Sequence, residues 1–597
     1  MKLKHLVSII AILLVLSLML TGSCWANAVD LQRKEMYNKI SPDVMEEING
    51  KQTEIPVLIW LKAADISAAE EIAFKATGFS RSEFYALDKS GMPELEMQKI
   101  ADRFISAKRH AVAEIYRAYN NEIAKRLSAN IRITHVDEYA PVIAAIASYK
   151  DITAIARNDD VENIYYYYTK VAPLLEISRV VVRAHTVQAS SYGGYTGSGV
   201  KVGIFDGGIP DNSFLGLPAS RFIIDPNCNS SVEEHATYVA GIMVNQGLNN
   251  TPKGISPGVT LYCTCGRTPL DTMQWFIQSG VRLVNMSIGL LDKNGNMILN
   301  TYDDSDLDMA TGYEGFCRYI DYVSFSANIT VVAAAGNSSS SGVTTPAIAY
   351  NVIAVGNIND KNTYKVSDDS LHYSSSYINT GIVNMSPKIS KPDICAPGTY
   401  IDIGGVYTGG IGTSIAAPHV TGALALILQQ KGILATVSGA LKAIITAGVN
   451  KSSHHYVPSY RIYSSNFLTP AASYVQYGAG VLNCQNNRSI IVNETYEFGL
   501  LFANTPSMSQ EIQCVEGQPM RVSFAFYNQP PTTTGPVVVE DMDIEVWAPN
   551  GQIVGSSATS NNIEIVDFTP TITGTYTVYI DRGSMLNENI YFGLAWG

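Results

Sequence analysis

The chain has 597 residues, more than one ordinary hydrophobic core organises, so several domains are expected. Hydrophobic residues make up 46% and charged residues 16%, which is typical of an ordered globular protein and excludes a largely disordered one. The formal net charge of −12 argues against nucleic acid or an anionic membrane as the main partner.

The N-terminus has the pattern of an export signal. Lys2 and Lys4 precede an apolar stretch at residues 6–20, and the Ala-Asn-Ala sequence at 26–28 fits a small-residue cleavage site. The apolar stretch is short for a membrane span, and no other stretch of the sequence is long enough. Residues 1–28 are therefore predicted to be the signal peptide of a secreted protein. Two alternatives stay open: an uncleaved anchor, and a lipid anchor at Cys24 in a loose lipoprotein motif.

Residues 29–170 alternate strand-like and helical patterns. A long, charge-rich segment at 94–127 has apolar residues at helical spacing, and a second, short helix is expected at 152–157. Strands are expected at 55–61, 131–136, 141–148 and 161–168. We expect a small α+β domain with an enlarged helical insert.

Two short apolar runs in the middle of the chain end in polar side chains. Residues 202–205 lead into Asp206, and residues 331–335 lead through a glycine into Asn337. Such runs are typical of buried parallel strands, whose carboxyl ends carry functional groups. Further on, His235 opens a run of small apolar residues that is compatible with a helix.

Ser414 follows a glycine-rich loop at residues 408–412 and precedes a helical run. Glycine lets the backbone turn sharply and approach a substrate closely. The first turn of a helix offers unpaired N–H groups and a positive dipole to a developing oxyanion. A nucleophile for acyl transfer is expected at such a position, although a serine there is more often a helix cap.

The last part of the chain, residues 488–597, has a different pattern. Short strand-like runs are separated by turn sequences rich in Gly, Asn and Pro, at 522–527, 542–548, 562–567 and 575–580. Regular short strands with such turns indicate a β-sandwich.

The polar groups follow one another in the order Asp206, His235, Asn337, Ser414. The order Asp, His, Ser is that of subtilisin. With residues 280–289, 391–398 and 477–483, these motifs resemble those of subtilisin-like serine proteases (subtilases, peptidase S8 family) over residues 195–485. The resemblance implies an α/β fold with a parallel sheet sandwiched by helices at 171–487. It also implies a ferredoxin-like inhibitory propeptide at 29–170 and a jelly-roll module at 488–597; an unrelated N-terminal binding domain is the alternative for 29–170.

The resemblance also implies a role for each polar group. His235 would accept the proton of Ser414 and later donate it to the leaving amine, while Asp206 would orient the imidazole. Asn337 would donate its side-chain N–H to the oxyanion beside the backbone N–H of Ser414. Gly207, where the family usually has Thr or Ser, departs from the pattern without removing a catalytic group.

Substrate is expected to bind as an extended strand beside Ser287, Ile288 and Gly289, with Ala335 and Gly336 in the wall of an apolar specificity pocket. A self-cleaving enzyme must accept its own junction, and Tyr165–Tyr168 lies close to the expected one. We therefore hypothesise tolerance of large aromatic or apolar side chains. The alternative is that these tyrosines only form the last strand of the propeptide.

These expectations describe a secreted serine endopeptidase made as an autoprocessed zymogen, with protein substrates and its own propeptide as partners. Alternatives are a maturation protease for one dedicated substrate and an inactive subtilase-fold surface protein. All three triad residues are present, which disfavours the inactive form.

No cofactor is required for this chemistry. Structural calcium is an open expectation without a defined site, with weak candidates at Asp303, Asp304, Asp306 and Asp308 and at Asp541 and Asp543. The seven cysteines that remain after signal removal are scattered and do not form a disulfide framework. Most are expected to be small buried apolar residues, and one or two bridges stay open.

Overall fold

The computed structural model describes residues 39–41, 44–45, 48, 54–127, 131–167, 171–173, 181–228, 231–248, 251–265, 267–291, 297–300, 315–361, 369–378, 390–404, 406–450, 476–527, 540–559, 561–584 and 589–597. The expected signal peptide, Cys24, the Asp303–Asp308 group and Tyr168 lie outside the described residues. Within the described residues, no helix is long and apolar enough to cross a membrane.

The N-terminal unit combines an antiparallel sheet with helices. Its strands are β1 (Ile55–Leu61), β2 (Arg132–Val136), β3 (Val142–Ala147) and β4 (Val161–Tyr166). Its helices are α1 (Ser67–Thr77), α2 (Arg81–Tyr85), α3 (Glu94–Leu127) and α4 (Tyr149–Ala156). The sheet order β2-β3-β1-β4 is that of a ferredoxin-like fold. The expected strand at 55–61 and helix at 94–127 coincide with β1 and α3.

The central unit is an α/β structure. Its strands are β5 (Val171–Pro173), β6 (Lys201–Phe205), β7 (Phe222–Ile224), β8 (Thr260–Cys263), β9 (Leu283–Met286), β10 (Ile288–Leu290), β11 (Leu299–Asn300), β12 (Thr330–Ala334), β13 (Val343–Thr344), β14 (Val352–Asn359), β15 (Ser370–Leu371), β16 (Ile394–Pro397), β17 (Thr399–Gly404) and β18 (Tyr407–Ile411). Its helices are α5 (Ala184–Gln188), α6 (Asn212–Leu215), α7 (Glu234–Val244), α8 (Pro269–Gln278), α9 (Gly315–Ser326), α10 (Thr413–Gln430) and α11 (Ser438–Ala447).

An eight-stranded sheet forms the centre of this unit, in the order β15-β14-β12-β9-β6-β8-β7 with β16 also paired to β14. All its pairs are parallel except β14 with β15. Both faces are covered, since Val202 and Ile204 of β6 pack in the cluster of α7 and α10 and Phe205 packs in that of α8 and α9. This arrangement confirms the expected helix-covered parallel sheet.

The strand order of this sheet predicts where a ligand-binding crevice lies. From β6 the chain continues to β7 and β8 on one side, and then returns to β9 on the other side of β6. The carboxyl ends of β6 and β9 therefore flank the point where the strand order reverses. Ligands of open α/β sheets bind at such a crevice.

The C-terminal unit is a sandwich of two four-stranded antiparallel sheets, with the orders β19-β26-β21-β24 and β20-β25-β22-β23. It begins after α12 (Cys484–Asn493), which runs across the boundary expected at residue 487. Its strands are β19 (Tyr496–Leu501), β20 (Ser507–Cys514), β21 (Met520–Tyr527), β22 (Asp541–Trp547), β23 (Ile553–Ser557), β24 (Ile563–Phe568), β25 (Gly574–Ser584) and β26 (Ile590–Trp596).

The C-terminal unit is joined to the central unit through a buried arginine. Arg521, which is fully buried, pairs with Asp567 at 2.7 Å and donates hydrogen bonds to the carbonyl oxygens of Ala479 and Thr446. A buried guanidinium is tolerated only when its charge and its N–H groups are satisfied. The sandwich therefore packs as part of one folded structure with the central unit and is not a loosely tethered module.

Candidate active site

Asp206 and His235 form a buried pair. Asp206 follows β6 and is 5% exposed, and His235 lies in the first turn of α7 at 2% exposed. The imidazole Nδ1 donates to Asp206 Oδ1 at 2.8 Å, and Oδ2 lies 3.0 Å away. The backbone N–H of Gly207 also donates to Oδ1 of Asp206, at 2.7 Å. This arrangement fixes the tautomer with Nε2 as the free acceptor.

Local sequence explains why α7 begins here. Glu233 is the N-cap, and its Oε2 accepts the backbone N–H of Ala236 at 2.7 Å. An acidic side chain at the N-cap accepts a hydrogen bond from a backbone N–H that has no partner within the helix, and the positive end of the helix dipole stabilises its charge. The helix that follows is buried at nearly every position, so the ring of His235 is held by packing.

Ser414 is fully buried in the first turn of α10, immediately after β18 and Gly412. Its Oγ and the Nε2 of His235 both lack a hydrogen-bond partner in the described part of the chain. The two atoms therefore do not form a hydrogen bond with each other, although the helices that carry them, α7 and α10, pack against one another. In enzymes without substrate, catalytic hydrogen bonds are often long and tighten on binding.

Asn337 is anchored to the N-terminus of the same helix. Its Oδ1 accepts the backbone N–H of Thr413 at 2.9 Å and the Thr413 hydroxyl at 3.2 Å. The Thr413 hydroxyl oxygen also accepts the N–H of Gly336 at 2.9 Å. With its oxygen held in this way, the carboxamide directs its N–H₂ group away from Thr413.

Gly336 needs to be glycine. Its φ of +109° is unfavourable for other residues, and a Cβ would lie 2.7 Å from Thr344 Cγ2. The preceding Ala335 is fully buried, with its N–H donated to Val355 and its carbonyl accepting from Thr344. The backbone between β12 and Asn337 is thereby fixed in one path.

A chain of buried hydrogen bonds connects α10, the helix that carries Ser414, to β9. Thr421 donates to Asn285 Oδ1 at 2.9 Å, Asn285 Nδ2 donates to Ser287 Oγ at 2.8 Å, and Ser287 Oγ donates to the carbonyl of Ser414. Asn285, Thr413 and Glu233 were not anticipated as site residues. Their proximity to the motif residues in sequence was the only available signal.

The expected substrate strand is already paired with the chain itself. Residues Ile288–Leu290 (β10) pair antiparallel with Val171–Pro173 (β5), so that Gly289 faces Ala172. Tyr165 and Tyr166 instead lie in β4, paired with β1. Tyr165 and Tyr166 therefore agree with the alternative interpretation, a last strand of the N-terminal sheet, and give no support to an aromatic preference.

The other polar groups have structural surroundings. His419 is buried and its Nδ1 donates to the Ile415 carbonyl at 2.8 Å, as packing within α10 requires. Asp541 and Asp543 both approach Gly583, and burial together with nearby Glu540 raises the pKa of Asp541. Among the described residues, the one group with metal-compatible spacing is Asp206, Glu233 and His235, at the site already described.

A carboxylate paired with an imidazole on one helix, and a serine at the N-terminus of a helix packed against it, are the residue set that serine hydrolases use. The profile of the Subtilase family (Peptidase_S8) matches residues 197–480. Subtilisin DY of Bacillus licheniformis is 32% identical over 269 residues, which are 42% of this chain and 83% of that protein. Subtilisin E of Bacillus subtilis (strain 168) is 32% identical over 259 residues, which are 40% of this chain and 57% of that protein.

Among solved structures, the prenylagaramide maturation protease PagA is similar at 20% identity and a TM-score of 0.35, over 49% of this chain and 93% of that one. Subtilisin DY, which is 32% identical and matched over 83% of its length, shows the family, and the profile match agrees with it. The chain belongs to the subtilase family and is a subtilisin-like serine endopeptidase, a hydrolase of peptide bonds.

Proposed function

We propose that this chain is a secreted serine endopeptidase, made as a zymogen, that cleaves peptide bonds through an acyl-enzyme on Ser414. The observation that carries the proposal is the His235–Asp206 pair. The Nδ1 of His235 is bonded to Asp206, while its Nε2 has no hydrogen-bond partner among the described residues. A base oriented in this way is what a serine hydroxyl needs, because it is a poor nucleophile at its ordinary pKa.

The proposed reaction uses these groups in the following order. His235 Nε2 removes the Ser414 proton as Oγ attacks the carbonyl carbon, and Asp206 stabilises the imidazolium without accepting its proton. The oxyanion receives N–H groups from Ser414 and Asn337. His235 then protonates the departing amine, and water, activated by the same imidazole, releases the acyl group and regenerates Ser414.

The zymogen part of the proposal is supported by the strand pairing of β5. Because β5 runs antiparallel to β10, the chain from Val171 to Pro173 runs toward Ser287, whose hydroxyl contacts the Ser414 carbonyl. Main-chain pairing of this kind is how an extended peptide adds to a sheet edge. We place the self-cleavage site within a few residues after Pro173, and the N-terminal unit acts as an inhibitor until then.

The direct test compares wild type with Ser414→Ala, and with Ser489→Ala as a control at an exposed serine. Wild type and Ser489→Ala are expected to hydrolyse casein and to yield a new N-terminus soon after Pro173. Ser414→Ala should lose only the signal peptide and show no hydrolysis. A Ser414→Ala protein that still matures and digests casein refutes the nucleophile, whereas self-cleavage without casein hydrolysis favours the dedicated maturation protease.

A further inference from the structure

The N-terminal helices reach far beyond β5, the strand that leads to the proposed cleavage site, and beyond β10, with which β5 pairs. We define the helical clasp as α1, α2 and α3, residues 67–127 with their connections. An inhibitor that covers only the substrate edge needs contacts with β10 and its surroundings. The clasp instead contacts helix ends of the central unit and the C-terminal sandwich, as four sets of contacts show.

Arg109 of α3 donates hydrogen bonds to carbonyl oxygens at the ends of two helices of the central unit. It is 5% exposed, and its three nitrogens donate to the carbonyl oxygens of Ile277 at 3.0 Å, Val281 at 2.7 Å and Ala327 at 2.8 Å. Ile277 and Ala327 lie at the C-terminal ends of α8 and α9, where helices favour cations, and Val281 lies three residues after α8. The Ile277 carbonyl also accepts the N–H of Gly280 at 3.0 Å. Departure of the clasp would leave the guanidinium to find new partners.

A second set of contacts is apolar. Phe84 and Phe104 are fully buried, and they belong to the same core cluster as Leu428 and Ile433 of the central unit. Phe74 packs on both rings, with centroids 5.5 Å from Phe84 and 5.0 Å from Phe104. A shared core of this kind resembles the interfaces of permanent complexes, which look like one domain core cut in half.

Polar contacts extend along the same helix. Asp102 forms an ion pair with Arg282, and Glu94 accepts the backbone N–H of Gly432. Glu94 sits partly desolvated, so that its pKa is raised to about 7 by burial. These contacts attach the first half of α3 to Arg282, just before β9, and to the segment that follows α10.

The clasp also binds the C-terminal sandwich. Lys108 donates to Tyr591 Oη at 2.8 Å, and Lys89 forms an ion pair with Glu497. The guanidinium of Arg81 lies 5.3 Å from the centre of the Phe502 ring. One helical segment thus bridges the central and C-terminal units, which a disposable inhibitor does not need.

We infer that the N-terminal unit stays bound after the chain is cut, so that the mature enzyme is a two-chain complex held together by the helical clasp. The strand β5, which pairs through three residues only, is then the part that leaves the substrate edge, and the clasp remains as a structural subunit. For the natural protein, this inference rests on the proposed self-cleavage. The test below does not depend on self-cleavage, because an external protease cuts the chain.

The test uses the full chain with Ser414→Ala and a recognition sequence for a site-specific protease inserted after Glu176. After cutting, the two fragments are expected to co-elute in gel filtration on dilution to about 10 nM, the behaviour of a permanent interface. Separation of the fragments at that dilution overturns the inference. Failure of the self-cleavage proposal would instead appear only in the uncut, catalytically competent chain.

A matched pair of variants assigns the binding to the clasp. Arg109→Ala is expected to speed fragment dissociation at least about 30-fold, because truncating one partner of a buried charged network acts mainly on the off-rate. Arg103→Ala, an exposed arginine on the same helix, should change it less than about twofold. Equal dissociation rates for the two variants contradict the role of Arg109. If Arg109→Ala does not fold, co-elution of the otherwise unchanged cut protein decides alone.

Discussion

Asn337 accepts the backbone N–H of Thr413 through its carboxamide oxygen at 2.9 Å, and this bond links the segment after β12 to the first turn of α10, which carries Ser414. The bond fixes which side of the amide is free. The oxygen is occupied, so in the proposed mechanism the N–H₂ group is the part that would bind the oxyanion formed at Ser414. The orientation of the donor is thus present before substrate binds.

Replacing Asn337 with Ala is expected to lower kcat by about 10²–10³ with little change in KM, since the donor acts on the transition state; the magnitude is the one measured for such a donor in a subtilisin. Steady-state kinetics on a peptide substrate measure the effect. Asn550→Ala, in an exposed turn, serves as the control. A rise in KM at unchanged kcat would contradict the role assigned to Asn337.

His135 links the N-terminal unit to α8 by a pH-dependent contact. Its Nδ1 lies 2.5 Å from Asp271 Oδ1, and its Nε2 lies 3.2 Å from Asp137 Oδ2. Burial alone would lower the pKa of this imidazole, but the hydrogen bonds to the two carboxylates outweigh burial and raise the pKa to about 9. Arg267 and Tyr167 are the other titratable groups near Asp271.

The sign of the pH effect follows from the raised pKa. The unfolded imidazole titrates near 6.5, so its stabilisation is fully present below that pH and is lost as the pH rises through about 9. We expect a loss of about 3 kcal/mol in unfolding free energy across this window, measured on Ser414→Ala protein to avoid self-digestion. His135→Gln should lack this component, whereas His110→Gln, at an exposed position on α3, should retain it. If the unfolding free energies of His135→Gln and the parent protein change with pH in the same way, the prediction is contradicted.

The disulfide between Cys228 and Cys265 closes a separation of 37 residues beside β7 and β8. In the chain-entropy account, a loop of this length stabilises the fold by about 4 kcal/mol. The double variant Cys228→Ser, Cys265→Ser is expected to lose about that much unfolding free energy. Reductant should lower the melting temperature of the parent to that of the double variant and leave the variant unchanged. A parent protein that is insensitive to reductant argues against the bridge.

Much of the fold could be predicted because its signals are local. The apolar runs before Asp206 and Asn337 form β6 and β12, and the helical spacing at 94–127 gives α3 with the expected bounds. In the sandwich, four strands were expected and correspond to β21, β22, β24 and β25. The strands β19, β20, β23 and β26 were missed, because their alternation is weak in the sequence.

The contacts that join the units could not be read from the sequence. Arg109 meets carbonyls that lie about 170 to 220 residues further along the chain, and nothing local in α3 specifies them. The pairing of Cys228 with Cys265 is equally non-local, since spacing alone does not give connectivity. The tyrosine run was compatible with both a junction and a strand, and only the register against β1 decided for the strand.

The most direct test of the account is covalent labelling of the mature enzyme with a fluorophosphonate, followed by mass spectrometry of its peptides. The account predicts one adduct, on Ser414, in wild type, and its loss in a His235→Ala protein that an external protease has cut after Glu176, because the reagent requires a hydroxyl activated by an adjacent base. An adduct on another residue, or a correctly processed wild-type protein that stays unlabelled, would contradict it.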